Sequence, residues 1–84
     1  MMKTLFRPLG RINVAEENYS IETEEDADGG WVAEVIDFPD LVMARGSTEQ
    51  EAMANVTALV FRKIAERIQK TKIGTTKISF GILE

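Results

Sequence analysis

The chain has 84 residues, 44% hydrophobic and 29% charged, with ten basic and fourteen acidic side chains and a net charge of −4. This length suits one small domain, 1–84, and the mixture is that of an ordinary globular protein rather than a disordered chain. With neither cysteine nor histidine, the chain has no disulfide, no thiolate metal site, no cysteine nucleophile and no imidazole base, and its negative charge opposes non-specific nucleic-acid binding.

In chain order, the first eighteen residues carry the weakest pattern. Arg11-Ile12-Asn13-Val14-Ala15 is either an extra short strand or an early start to the next one, and the rest of 1–18 is otherwise a flexible arm. Tyr19–Glu24 alternates large or β-branched residues with polar ones, the period of a half-buried strand. Asp28-Gly29 within the following turn is a strong hairpin signal. Trp31–Ile36 reads as a second strand with Glu34 on its wet face, so Trp31, Ala33 and Val35 point to the core while Val32 and Ile36 share the outer face. Pro39 breaks that strand because it lacks the N–H a ladder needs. Leu41–Arg45 reads as a third strand ended by Gly46, completing an antiparallel meander.

Thr48 with Glu51 three residues later is a capping box opening a helix that runs to about Gln69 or Lys70. Ala52, Val56, Leu59, Val60, Ile64 and Ile68 form its inward face, and Met53, Phe61 and Ala65 widen the apolar arc. Gly74 falls in the loop that follows, and Lys77–Ile82 alternates again as a fourth strand with Ile78, Phe80 and Ile82 on one face. The expected fold is α+β, a small antiparallel sheet with one main helix on one face in the order β-β-β-α-β.

The longest apolar run, Ala58–Phe61, is far below the ~20 residues of a membrane span, and the N-terminus has no signal core, so cytoplasmic residence is expected. Acids concentrate between Glu16 and Asp28, including Glu22, Glu24, Glu25, Asp26 and Asp28, while bases concentrate from Arg62 to Lys77. Such runs usually form solvated faces, and they also suit an acidic surface offered to a basic partner. Catalytic constellations are not expected. The acidic turn lacks the closing glutamate of a calcium loop, since position twelve counted from Glu24 is Val35. Asp26 and Asp28 are separated from Asp37 and Asp40 by a strand of roughly 20 Å, too far to share a metal. The serines have no histidine to activate them, and Arg62, Lys63, Arg67 and Lys70 lack the neighbouring aromatics of a single-strand binder. No cofactor is expected. A chain this small, without staples, gains from sharing a core with another copy, and Val32, Ile36, Met53 and Phe61 are the candidate oligomer surface.

One ordered set of residues is more specific. Asp28-Gly29-Gly30-Trp31-Val32-Ala33 is followed by Asp37-Phe38-Pro39-Asp40 and then by Gly46-Ser47-Thr48-Glu49-Gln50-Glu51-Ala52. This resembles the HicB family of antitoxins and its HicB-like relatives, over a little under half the chain. The matching positions Asp28, Gly29, Trp31, Ala33, Pro39, Gly46, Thr48, Glu51 and Ala52 all have fold-making roles, so architecture transfers more safely than activity. The resemblance implies a partial ribonuclease H-like fold without catalysis. It also implies dimers or tetramers, and binding to a small basic HicA-like ribonuclease toxin whose catalytic histidine and RNA surface the antitoxin covers. Two departures stand out: Asp40 replaces the family's usual glycine after the turn proline, and the chain reaches Glu84 without the appended DNA-binding domain of many members, so operator binding is not expected.

Overall fold

The computed structural model describes residues 14–83. These form β1 (Val14–Glu25), β2 (Trp31–Val35), β3 (Val42–Gly46), α1 (Glu49–Thr71) and β4 (Gly74–Leu83). The four strands make one sheet in the order β3-β2-β1-β4, and α1 packs on one of its faces. The structure is therefore α+β with the expected element order.

The sheet is mixed, which corrects the expectation of an antiparallel one. β1 pairs antiparallel with β2, and β2 with β3, but β4 lies parallel to β1. The cause is the length of the connection. Two hairpin reversals leave β3 pointing the same way as β1. The 23-residue helix, ~34 Å long, then carries the chain back along the whole sheet. β4 consequently starts at the end where β1 starts and runs alongside it, as helical crossovers do.

β1 is the spine. Its residues Val14–Glu22 pair with β4 and Ile21–Glu25 pair with β2, with a register shift between Ala15 and Glu16. The strand therefore begins five residues before Tyr19, the point where alternation starts. Ala15-Glu16-Glu17-Asn18 has poor strand propensity, and only the ladder to β4 holds it extended. The segment Arg11–Ala15 is in part an early start of this strand, at Val14 and Ala15; positions 1–13 lie outside the described residues. β4 likewise begins at Gly74, which pairs with Val14 instead of lying in a loop.

The core joins Tyr19, Ile21, Ala33, Val35 and Val42 from the sheet to Ala52, Val56, Val60 and Ile64 from the helix. The four helical residues repeat every four positions and form one narrow strip, so α1 presses a single stripe onto β2 and β3. Leu59, Ile68, Met53 and Trp31 pack around this centre, whereas Phe61 stays half exposed.

Both helix ends show how the sequence sets the element. Thr48 is extended, and its Oγ1 accepts the Glu51 N–H at 3.1 Å. The reciprocal half of the expected box is shifted by one residue: Glu51 Oε1 accepts from the N–H and the hydroxyl of Ser47, at 2.6 and 2.8 Å, not from Thr48. Glu49 accepts from the Thr23 hydroxyl at 2.6 Å, and Asn55 donates to the Arg45 carbonyl at 2.8 Å, tying the helix to β1 and β3. At the other end α1 runs through Thr71 and closes on Lys72, left-handed at φ 61°, whose N–H bonds the Ile68 carbonyl. Asp40 has no left-handed backbone to tolerate, since among the described residues only Lys72 is a non-glycine with positive φ.

Candidate functional site

α1 covers one face of the sheet, and among the described residues nothing covers the other. Period-two alternation sends the even-numbered residues of β1 to this open face, because Tyr19 and Ile21 are in the core. Glu16, Glu22 and Glu24 therefore point away from the helix. The registers add their neighbours: Glu34 of β2 stands directly opposite Glu22, Met43 of β3 lies beside Glu34, and Leu83 of β4 lies beside Glu22. One row along, Glu24 faces Val32, which faces Arg45; at the other end Glu16 faces Lys77.

The face therefore centres on two like charges in direct cross-strand register. Such a pair opposes the fold by a few tenths of a kcal/mol up to ~1 kcal/mol. The ion pairs among the described residues lie elsewhere: Arg45 with Asp26, Arg67 with Glu17, and Lys63 with Asp40 at 3.9 Å. None of these reaches Glu22, Glu24 or Glu34.

The acidic run Glu22, Glu24, Glu25, Asp26, Asp28 is thus divided by the fold. Glu22 and Glu24 belong to the open face. Glu25 points to the helix side at the strand end, opposite Trp31. Asp26 sits in the turn, accepts the Ala27 N–H at 2.8 Å and pairs with Arg45, and Asp28 is exposed in the same turn. Glu34 joins the first pair, a residue marked from the sequence only as the wet side of its strand. The hairpin register Glu25↔Trp31 carries the missing signal, because counting back three pairs puts Glu22 against Glu34.

Glu17 has a different use. Its carboxylate accepts from the Tyr19 hydroxyl and the Arg67 guanidinium, with the Thr75 hydroxyl at 3.4 Å. Burial pushes its pKa up, but the hydrogen bonds from Arg67, Tyr19 and Thr75 and the Arg67 charge outweigh that and hold it below its ordinary value. Burial, together with the bond to Glu17, raises Tyr19. The network clamps the end of α1 to β1 and consumes part of the basic run. Lys63 and Arg67, with Lys70, line a shallow groove beside Phe38 and Pro39.

The candidate oligomer residues do not form one surface. Val32 lies on the open face, and Ile36, 47% exposed, follows at the end of β2. Met53 and Phe61 lie on α1, and Phe61 meets Phe80 of β4 edge-to-face at 5.9 Å. The fold-motif residues spread through the scaffold. Ala33 and Ala52 are fully buried, Trp31 packs at the core margin, Pro39 is exposed in its loop, and Gly29 takes φ 95° in the hairpin turn.

Asp37 accepts the Ser20 N–H at 2.9 Å, and Asp26 sits in the hairpin turn beyond the end of β1, so the two carboxylates lie a strand segment apart in separate structural uses. Among the described residues no three His, Cys, Asp or Glu side chains gather in a group fit for a metal ion. Among them, too, no helix is long and apolar enough to cross a membrane. Comparison with protein-family models, with curated proteins and with solved structures gives no match.

Proposed function

We propose that this chain is a HicB-like, antitoxin-type protein that acts by binding another protein, and that its partner is a small basic HicA-like ribonuclease toxin. The observation that supports this reading is the Glu22–Glu34 couple, flanked by Glu24, on a sheet face where among the described residues no ion pair reaches it and no element covers it. A cross-strand like-charge pair weakens the isolated fold, and a cationic partner surface converts that repulsion into attraction and speeds encounter. On this reading the protein is a cytoplasmic binder rather than an enzyme, and its sheet and helix belong to the HicB-like, partial ribonuclease H-like arrangement.

The test is co-purification with the product of the adjacent reading frame, followed by assay of that product's ribonuclease activity with and without this chain. A small basic neighbour that binds and is inhibited supports the reading. Glu22→Lys with Glu34→Lys then weakens binding by about 10- to 100-fold, and raising the salt weakens the wild-type complex. A neighbour that fails to bind, or binding indifferent to both charge reversals, removes the reading.

A second reading, a homo-oligomeric scaffold or binding module without a toxin partner, draws on the exposed apolar side chains Phe61, Ile82 and Leu83. It leaves the ribonuclease assay unmoved by this chain.

A further inference from the structure

Most of the basic run lies on α1, on the side of the sheet away from the open glutamate face. Lys63, Arg67 and Lys70 stand at i, i+4 and i+7, so they share one face of the helix. That face borders a groove of about 350 Å³, whose other wall is Phe38, Pro39 and Asp40 from the connection between β2 and β3. Along the chain these bases have no aromatic suited to stacking, because Phe61 turns to Phe80 of β4. The fold supplies one in Phe38: Tyr19 supports its ring at 5.2 Å, and the half-buried side chain also lines the groove.

The cations of the groove keep donors to offer. Lys63 Nζ stands 3.9 Å from Asp40, beyond hydrogen-bonding distance, and among the described residues no ion pair engages Lys70. Arg67 is held by Glu17, yet its side chain stays 38% exposed, and a guanidinium carries five donors, more than one carboxylate takes. Asp40 and Glu66 complete the lining with acceptors.

We propose that this groove binds a single nucleoside 5′-monophosphate. Each part of the lining meets a part of that ligand. Lys63, Arg67 and Lys70 give the phosphate charge-assisted hydrogen bonds. Phe38 and Pro39 offer an apolar wall to the flat face of a base, a contact that every base can make. Asp40 and Glu66, which repel a bare anion, accept from the ribose hydroxyls. An acidic peptide or inorganic phosphate uses the cations alone and leaves the aromatic wall and both carboxylates without a role. Size limits the ligand to one unit, since ligand pockets begin at about 300 Å³ and this groove is at that small end. The chain's charge of −4 also resists a longer run of phosphates. The site stands apart from the toxin reading, because it lies on the helix side and uses none of Glu22, Glu24 and Glu34.

Titration of the full chain with adenosine 5′-monophosphate, followed by calorimetry and by two-dimensional amide NMR spectra, tests the site. Saturable binding with Kd below about 1 mM is expected, with shifts concentrated at 38–40 and 63–70. Lys63→Gln combined with Lys70→Gln weakens it at least about tenfold, and Phe38→Leu at least about fivefold. Circular dichroism checks that each variant keeps its fold; should Phe38→Leu not fold, the lysine pair and the ligand comparison decide. Arg62→Gln, the same loss of charge on α1 but outside the groove, leaves the affinity unchanged. Adenosine and ribose 5-phosphate, each lacking one half of the ligand, bind at least about tenfold more weakly. Binding unsaturated at about 10 mM overturns the proposal. So does an equal loss in Arg62→Gln, which makes the attraction one of general charge. Inorganic phosphate binding as tightly as the nucleotide overturns it by reducing the groove to an anion site. An affinity that climbs from adenosine 5′-monophosphate to a single-stranded oligoadenylate also overturns it, by assigning the groove to a nucleic-acid strand.

Discussion

Gly46 shows how little room some positions leave. A Cβ built there comes within 2.5 Å of the Ala52 nitrogen and 2.9 Å of Glu51 backbone and side-chain carbons. Those atoms belong to the first turn of α1, so the helix itself must shift to admit a methyl group. Gly46→Ala is expected to cost about 1–3 kcal/mol, read as a lower denaturation midpoint at unchanged slope. The contrast is Gly81, where the same methyl meets open space.

Glu17 is the residue through which acid acts on the fold. Burial works against its charge, yet Arg67, Tyr19 and Thr75 hold its pKa below the ordinary value of 4.5. The folded state therefore binds the proton less readily than the unfolded chain. This stabilisation is fully present above pH about 4.5, declines below that, and is lost as pH falls through the lower folded pKa. Glu51, held down by the backbone and then the side chain of Ser47, has the same sign. Glu17→Gln should accordingly flatten the loss of thermal stability between pH 5 and pH 3 relative to the wild type, while lowering stability at neutral pH. A variant whose melting temperature follows the wild-type slope over that range would contradict this account.

At the scale of elements, α1 is marked at its start by side chains and at its end by backbone geometry. The Thr48 cap and the acids Glu49 and Glu51 suit the positive end of the helix dipole, so residue types alone mark where the helix begins. Lys72 gives no such notice, since lysine is not a residue that favours the left-handed region it occupies at φ 61°. That difference explains why the sequence places the helix start correctly and its end one or two residues early. Lys72→Gly is expected to raise stability by about 1 kcal/mol, measured by urea denaturation, because glycine takes this cap without Cβ strain.

β1 makes the same point about strands. Its Tyr19–Glu24 half alternates and is legible in the sequence; its Val14–Asn18 half shows no alternation and exists because β4 lies beside it. Helix packing then divides the residues by parity. The odd-numbered Tyr19 and Ile21 join the core, and the even-numbered glutamates are left to solvent.

For the whole molecule, charge arrangement matters more than net charge. Asp26 and Glu17 pair with Arg45 and Arg67, whereas among the described residues no ion pair reaches Glu22, Glu24 or Glu34 on the open face. Glu34→Lys should therefore stabilise the isolated chain by about 0.2–1 kcal/mol, replacing a repulsive cross-strand pair with an attractive one, while weakening capture of a basic partner. Differential scanning calorimetry with a binding titration reads both effects. A gain in stability together with a loss of binding is the signature of a residue kept for recognition at the expense of the fold.

Composition, with no histidine and no cysteine, by itself excludes disulfides, thiolate metal ligands, a cysteine nucleophile and an imidazole base within this sequence. Local patterning goes further. Hairpin chemistry at Asp28-Gly29, the break at Pro39, the cap at Thr48 and the four-residue spacing Ala52, Val56, Val60, Ile64 are short-range features, each satisfied within one turn or one element, so they are written in line along the chain. The parallel placement of β4, the extension of β1 to Val14 and the Glu22–Glu34 couple join residues 12 to 61 positions apart. Ladder hydrogen bonds and a shared sheet face decide those, and such pairings leave no periodic mark in either partner alone.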